Sequence, residues 1–292
     1  MNKYKFEQIN PIASFIYFIL ILVIVMLTFN PIIIMISFIF SIINNFIYYG
    51  KISYKLLLFD FILIVLLGVI NPLFSHQGKT VLFKLINNYT LEALIYGLIS
   101  GMMIATVINY CKILNFIIDS SKFNYLFSKV LPKTSLVLSI AYNYIPRLKK
   151  EYVEIDDSLK ALGYFQSKKR SDLIKSKLKT YSMLISQSLE SSIETSDSMV
   201  ARSYTNSKRK SYSVIRFNTI DTIYFILFLV IGIMSIYFIS KYNHYSYYPL
   251  MDKIIFNLNN ILMYSLVTIM NLLLIIIEGC DRLKWHYLKS KI

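Results

Sequence analysis

Six stretches of this chain carry long, almost uncharged apolar runs: 11–29, 31–48, 56–74, 91–108, 219–239 and 261–277. A helix crossing ~30 Å of hydrocarbon needs about 20 mostly apolar residues, so each run predicts a membrane span. Asn30 and Pro31 separate the first two runs. That pair is a turn signal, and proline is tolerated at the first position of the helix it opens. Thr90 has the chemistry of an N-cap for the fourth run, and Glu92 falls in its first turn, where the helix dipole favours an acid. The segment 123–217 is different. It is too polar to span and too long for an ordinary connection. Its apolar positions recur with a helical period: Ile140, Tyr144, Leu148, Ile155, Leu159 and Leu162 on one face, with Gly163 placed to stop the helix. A second pattern runs through Ile185, Leu189, Ile193 and Val200 and ends near Arg202 and Ser203. Lys168-Lys169-Arg170 lies between the two. The expected fold class is an all-α integral membrane protein of about six transmembrane helices with a cytoplasmic helical module. Its expected segments are 1–110 (N-terminal spans), 111–218 (cytoplasmic helices) and 219–292 (C-terminal spans and a basic tail).

Composition agrees with that reading. Hydrophobic residues make up 56% of the chain and charged residues 16%, with a mean hydropathy of +0.55. A soluble domain lies nearer half apolar and a quarter charged. The net charge is nevertheless +15, which alone fits either a nucleic-acid binder or a membrane protein with basic cytoplasmic faces. The long uncharged runs favour the membrane, and no recognisable nucleic-acid module accompanies the basic stretch, so no nucleic-acid partner is expected. Lys and Arg in the connections set orientation. Lys3, Lys5, Lys51, Lys55, the segment 112–216, and Arg282, Lys284, Lys289 and Lys291 on the cytoplasmic side leave Lys79, Lys84, Lys241 and Lys253 outside. Both termini are then cytoplasmic. Residues 1–8 are polar, and the run that follows is long enough to span with no small-residue cleavage site, so no cleavable signal peptide is expected. The bias to Tyr, Phe, Ile, Lys and Asn resembles an AT-rich bacterial genome, pointing to a bacterial cell membrane.

Candidate chemistry is sparse. The fourth run has small residues at steps of four: Ala93, Gly97, Gly101 and Ala105. This spacing lets another helix approach closely, within the chain or from another subunit. Asp60 and Asp221 are lone acids in or near apolar runs, functional candidates by default, neither with a spaced intramembrane partner. Asp221 is expected at the interface, starting the fifth span. Cys111 and Cys280 are too few and too far apart for a disulfide framework or a thiolate metal site. His76, His244 and His286 are scattered, and no G-x-x-x-x-G-K-[ST] phosphate loop exists. No metal, cofactor or catalytic centre is expected, so any ATP is hydrolysed elsewhere. The polar segment offers apolar helical stripes edged with cations, suited to a partner protein, anionic lipid headgroups of the bilayer, or both. The plainer alternative is a basic loop that only anchors topology.

These residues resemble the transmembrane T component of energy-coupling factor transporters, the vitamin and metal importers of bacteria and archaea. The likeness lies in Phe29-Asn30-Pro31 between the first two spans, the threonine-led Thr90-Leu91-Glu92-Ala93, Leu131-Pro132, and Ile145-Pro146 leading to Glu151. The family hallmark is a pair of Ala-Arg-Gly motifs ending two cytoplasmic coupling helices. The matching positions are Ala161-Leu162-Gly163 and Ala201-Arg202-Ser203, about forty residues apart. The first has leucine for arginine, and the second serine for glycine. The resemblance implies two ABC ATPase subunits, each docking one helix end, and a substrate-binding S component reoriented when the ATPases close. Two alternatives remain. A conventional ABC-importer permease matches loosely at 157–163 but lacks the Leu-Pro expected after Gly163. An integral-membrane enzyme would need paired aspartates or a His-Asp centre.

Overall fold

The computed structural model describes residues 5–75, 78–84, 88–164, 170–204, 217–243, 245–254 and 256–289. Lys3, His76, Lys168, Lys169, Arg216, His244 and Lys291 lie outside the described residues. The elements in order are α1 (Pro11–Met26), α2 (Pro31–Tyr49), α3 (Ser53–Phe74), a hairpin of β1 (Val81–Lys84) and β2 (Asn88–Thr90), α4 (Leu91–Ile117), α5 (Ser120–Val130), α6 (Pro132–Ala161), α7 (Arg170–Ala201), α8 (Thr219–Tyr242) and α9 (Leu258–Lys289). Among the described residues five helices, α2, α3, α4, α8 and the apolar part of α9, are long and apolar enough to cross a membrane. The chain is an all-α integral membrane protein, multi-pass, with α1 as a shorter apolar helix.

Local chemistry explains where the helices start. The Asn10 and Asn30 side chains each accept a hydrogen bond from the backbone N–H two residues on, both at 3.1 Å, with proline at the next position. Each Asn-Pro pair thus caps a helix and pre-sets its first turn. Asn218 and Asp221 form a capping box at the start of α8. Asp221 Oδ1 also accepts from the Asn10 N–H at 3.3 Å, so one carboxylate ties two helix starts together. Thr90 holds the N-cap position of α4 without a side-chain capping bond. The orienting contact there is Glu92, buried, whose Oε1 accepts the Thr80 N–H at 3.3 Å.

Helix ends depart from the apolar runs. α1 stops at Met26, with Leu27 as its C-cap, short of the extended Asn30 that precedes Pro31. α4 continues to Ile117 and α9 to Lys289, well beyond the apolar runs, since neither extension contains a proline. The hairpin between α3 and α4 was not legible. Its strands are too short for an alternating pattern.

The chain divides into two compact units, Met1–Lys122 with Ile215–Ile292, and Phe123–Val214. In the first, α3 and α4 make the most extensive helix contact. Gly97 and Gly101 of α4 lie against the α3 backbone. A Cβ on Gly97 would meet the Leu67 carbonyl oxygen at 2.7 Å, and one on Gly101 the Ile64 Cα at 2.9 Å. Ala93 and Ala105 extend this fully buried stripe. Buried polar side chains link the helices further. Asn109 Nδ2 donates to Asp60 Oδ2 at 2.7 Å, so the sequence-based picture of Asp60 as an acid without an intramembrane partner is corrected. Tyr110 Oη donates to Asn271 Oδ1 at 2.5 Å. Glu278 Oε1 accepts from Tyr48 Oη at 2.9 Å and from the Phe6 N–H at 3.0 Å.

In the second unit α6 and α7 pack antiparallel. Tyr144 Oη lies 2.7 Å from Ser191 Oγ, the Tyr152 and Tyr181 rings meet at 5.4 Å, and Ser176 Oγ donates to the Tyr164 carbonyl. α6 runs through Pro146 without a break.

The close approach at Gly97 yields a paired test. Gly97→Ala forces a methyl into the Leu67 carbonyl and should destabilise the protein by roughly 1–3 kcal/mol. A methyl added at Gly279, in α9, would meet nothing within 4 Å, so Gly279→Ala should be neutral or stabilising by up to about 1 kcal/mol. Thermal unfolding of both variants in one detergent reads the difference directly.

Candidate functional site

The two triplets singled out in the sequence close two long helices in the same way. At the end of α6 the Gly163 N–H bonds the Lys160 carbonyl at 2.9 Å and the Tyr164 N–H bonds the Leu159 carbonyl at 3.1 Å. At the end of α7 the Ser203 N–H bonds the Val200 carbonyl at 2.9 Å and the Tyr204 N–H bonds the Met199 carbonyl at 3.1 Å. Both are Schellman caps, which satisfy the carbonyls that a helix end leaves orphaned. The cap demands a left-handed residue. Gly163 supplies it at φ +85°, and Ser203 at φ +59°, the one non-glycine residue with positive φ among those described. Serine there works against its Cβ, at a cost of roughly 1–2 kcal/mol. The caps match position for position with an offset of forty, although their residues differ at two of three sites.

Between cap and helix stands the residue that each end presents. Leu162 is 74% exposed, whereas Ile155 and Leu159, which the sequence put on the same apolar face, are buried. Arg202 is exposed, as are Ala161, Ala201 and Ser203, with Gly163 half-buried. The cation nearest the first cap is Lys160, and it is engaged within the chain. Its Nζ lies 2.8 Å from Asp156 Oδ2 and 3.0 Å from Asp157 Oδ1, and hydrogen bonds to those two carboxylates, Asp156 first, raise its pKa above the ordinary lysine range. Among the described residues Arg202 has no ion-pair partner.

Because the helices are antiparallel and Tyr164 sits beside Ser176, the caps lie at opposite ends of the pair. The 25 steps from Ser176 to Ala201 put roughly 37 Å between them along α7, at 1.5 Å per residue. α7 is also inside out. Toward α6 it buries Ser176, Thr180 and Ser191, whereas Ile174, Leu178, Ile185, Leu189 and Ile193 are 58–64% exposed. These five residues form an apolar stripe along one face of the helix, and exposed apolar patches are a common feature of interaction surfaces. Tyr204, Met199 and Val200 border an open groove of about 310 Å³ between α6 and α7.

Sequence reasoning missed the two tyrosines. Tyr164 and Tyr204 follow each triplet at the same offset and donate the longer-range bond of each cap, so the recurring Ala-x-x-Tyr was the available signal. Ala93, Gly97, Gly101 and Ala105 belong to the other unit, at the α3–α4 contact. Among the described residues no group of three His, Cys, Asp or Glu side chains converges as a metal site. Cys111 and Cys280 are free thiols.

A family described as cobalt transport protein (CbiQ) matches residues 5–212, which takes in both caps and α1 to α7. No curated protein matches the chain.

The unequal caps predict opposite responses. Ser203→Gly removes the Cβ strain and should stabilise the last turn of α7 by about 0.5–1 kcal/mol after the glycine's extra chain entropy is counted. Gly163→Ser should cost about 1 kcal/mol at the end of α6. Hydrogen exchange of the amides at 199–204 and 159–164 measures each end separately.

Proposed function

The chain belongs to the cobalt transport protein family, the family of energy-coupling factor T components, and from that premise we propose that it is the coupling subunit of an ATP-driven importer. It is a membrane-embedded transporter component. In our reading each capped helix end docks in a groove on one of two ABC ATPase subunits, and ATP-driven closure of those subunits moves α6 and α7. A substrate-binding S component in the same membrane is reoriented in turn and delivers its cargo. The family description favours a metal cation over a vitamin as that cargo. Both termini and the α6–α7 unit face the cytoplasm of a bacterial cell in this scheme, an orientation that the Lys and Arg distribution favours.

The observation that carries the proposal is the repetition of one cap at two helix ends. Nothing in folding requires the second cap to be a Schellman turn on serine; a glycine would be cheaper. A geometry held at local cost suggests use. The roughly 37 Å between the ends suits two docking grooves better than one. The outward stripe on α7 supports a further partner, since an apolar face so placed is unfavourable in water. Ala161, Leu162 and Gly163 at the first end and Ala201, Arg202 and Ser203 at the second are the proposed ATPase contacts. The membrane helices carry the stripe through Gly97 and Gly101 that keeps α3 and α4 locked as one body.

Detergent-solubilised complex pulled down on a tag at this chain tests the scheme. The wild type should bring down a nucleotide-hydrolysing protein. Arg202→Ala removes a guanidinium whose buried contact is worth about 3–5 kcal/mol once its partner is left uncompensated, so ATPase recovery should drop by well over tenfold. Recovery equal to wild type would remove Arg202 from the interface.

A further inference from the structure

α7 sorts its charges around its axis, and we infer that the outward face of its first half is a docking surface for anionic phospholipid headgroups. The inference goes beyond the coupling role proposed above and uses neither cap. At about 100° per residue, Ile174, Leu178, Ile185 and Leu189 fall within roughly 60° of arc. All four are 58–61% exposed. They extend over roughly 22 Å of helix, at 1.5 Å per residue. Arg170 and Lys177 flank one edge of this arc and Lys175 the other, each within about 60° of the nearest apolar residue. All three are exposed and have no ion-pair partner among the described residues. The acids of α7 are Asp172, Glu190, Glu194 and Asp197, and each lies at least about 80° outside the arc. The apolar face is thus bordered by cations and by no carboxylate of its own helix.

Charge and apolarity together name the occupant. From Arg170 to Leu189 the helix carries four cations and one acid. That acid, Asp172, sits in the first turn, where the helix dipole favours it. The cations at the edges of the arc are left for an outside anion. A phospholipid surface offers phosphates at headgroup depth and acyl chains just below them. A helix lying in that plane sinks its apolar side roughly 5–10 Å into the boundary between the two. Lysine stems are long enough to keep their ammonium groups among the phosphates while the aliphatic residues sink. α7 also belongs to a chain with five helices long and apolar enough to cross a membrane. The bilayer is therefore present at high effective concentration, and an attraction too weak to recruit a free helix is sufficient here. A protein groove would need acids placed opposite cations on both edges, whereas an anionic bilayer supplies phosphates all along them. Past Leu189 the helix changes sign with Glu190, Glu194 and Asp197, which an anionic surface repels. The lipid-facing part ends there.

Photocrosslinking reads what covers this face. Ile185→p-azidophenylalanine puts a probe inside the arc, and Glu194→p-azidophenylalanine on the acidic side serves as control; both positions are exposed. The full chain, with whatever subunits co-purify, is embedded in nanodiscs of mixed phosphatidylglycerol and phosphatidylcholine and irradiated, and adducts are identified by mass spectrometry. The expected result is a phospholipid adduct at 185 at least fivefold above that at 194. Discs of phosphatidylcholine alone should lower the adduct at 185 at least fivefold. Combining Arg170→Gln, Lys175→Gln and Lys177→Gln should do the same in the anionic discs. A lipid adduct at 185 that ignores both changes overturns the inference, because the cations then select nothing. Absence of a lipid adduct at 185 overturns it too, and a polypeptide crosslinked there instead assigns the face to a protein partner. None of these outcomes bears on the coupling role, which the Arg202→Ala recovery decides separately.

Discussion

Hydrocarbon supplies no hydrogen-bond partner, and the membrane unit is arranged around that fact. Its helices satisfy their own backbone groups, and several of its buried polar side chains find one another across helix boundaries. Asn109 meets Asp60, Tyr110 meets Asn271, and Tyr48 with the Phe6 amide meets Glu278. Such contacts contribute only about 0.6–2 kcal/mol each, but a helix pair in the wrong register would leave these groups unpaired. Dispersion at the Gly97 and Gly101 crossing brings α3 and α4 close, and the polar pairs select which crossing is allowed. Asp221 applies the same logic at the membrane edge, where one carboxylate serves the starts of both α1 and α8.

The α6–α7 unit obeys the opposite rule. On α7 small hydroxyl residues are buried while Ile174, Leu178, Ile185, Leu189 and Ile193 face outward, and α6 buries Ile155 and Leu159. This is a poor design for an isolated pair in water, because it leaves apolar surface exposed. The caps sharpen the point. Both helix ends are finished by the same hydrogen bonds, so what distinguishes them is the side chains they present, Leu162 at one and Arg202 at the other.

Much of this was written locally. Run length marked the spans, since crossing distance depends on residue count alone, and the Asn30-Pro31 start of α2 was plain because a cap acts over two or three residues. The helical period of 140–159 and of 185–200 exposed both long helices of the polar segment, and Gly163 marked its own cap. Ser203 was harder, because serine rarely accepts the left-handed conformation that it holds here. What stayed hidden depends on which helix docks on which. The stripe of Ala93, Gly97, Gly101 and Ala105 announced a close contact, but only the tertiary structure identified α3 as the neighbour. Asp60 looked solitary because Asn109 is 49 positions away, and Glu278 gave no sign of serving Phe6, 272 positions distant. Periodicity drew the apolar stripes of α6 and α7 alike, and only the packing buried Ile155 and Leu159 while leaving Ile185, Leu189 and Ile193 outward. A sequence determines the bonds a residue makes within its own turn of helix, whereas partners on other helices are settled only when whole surfaces compete for burial.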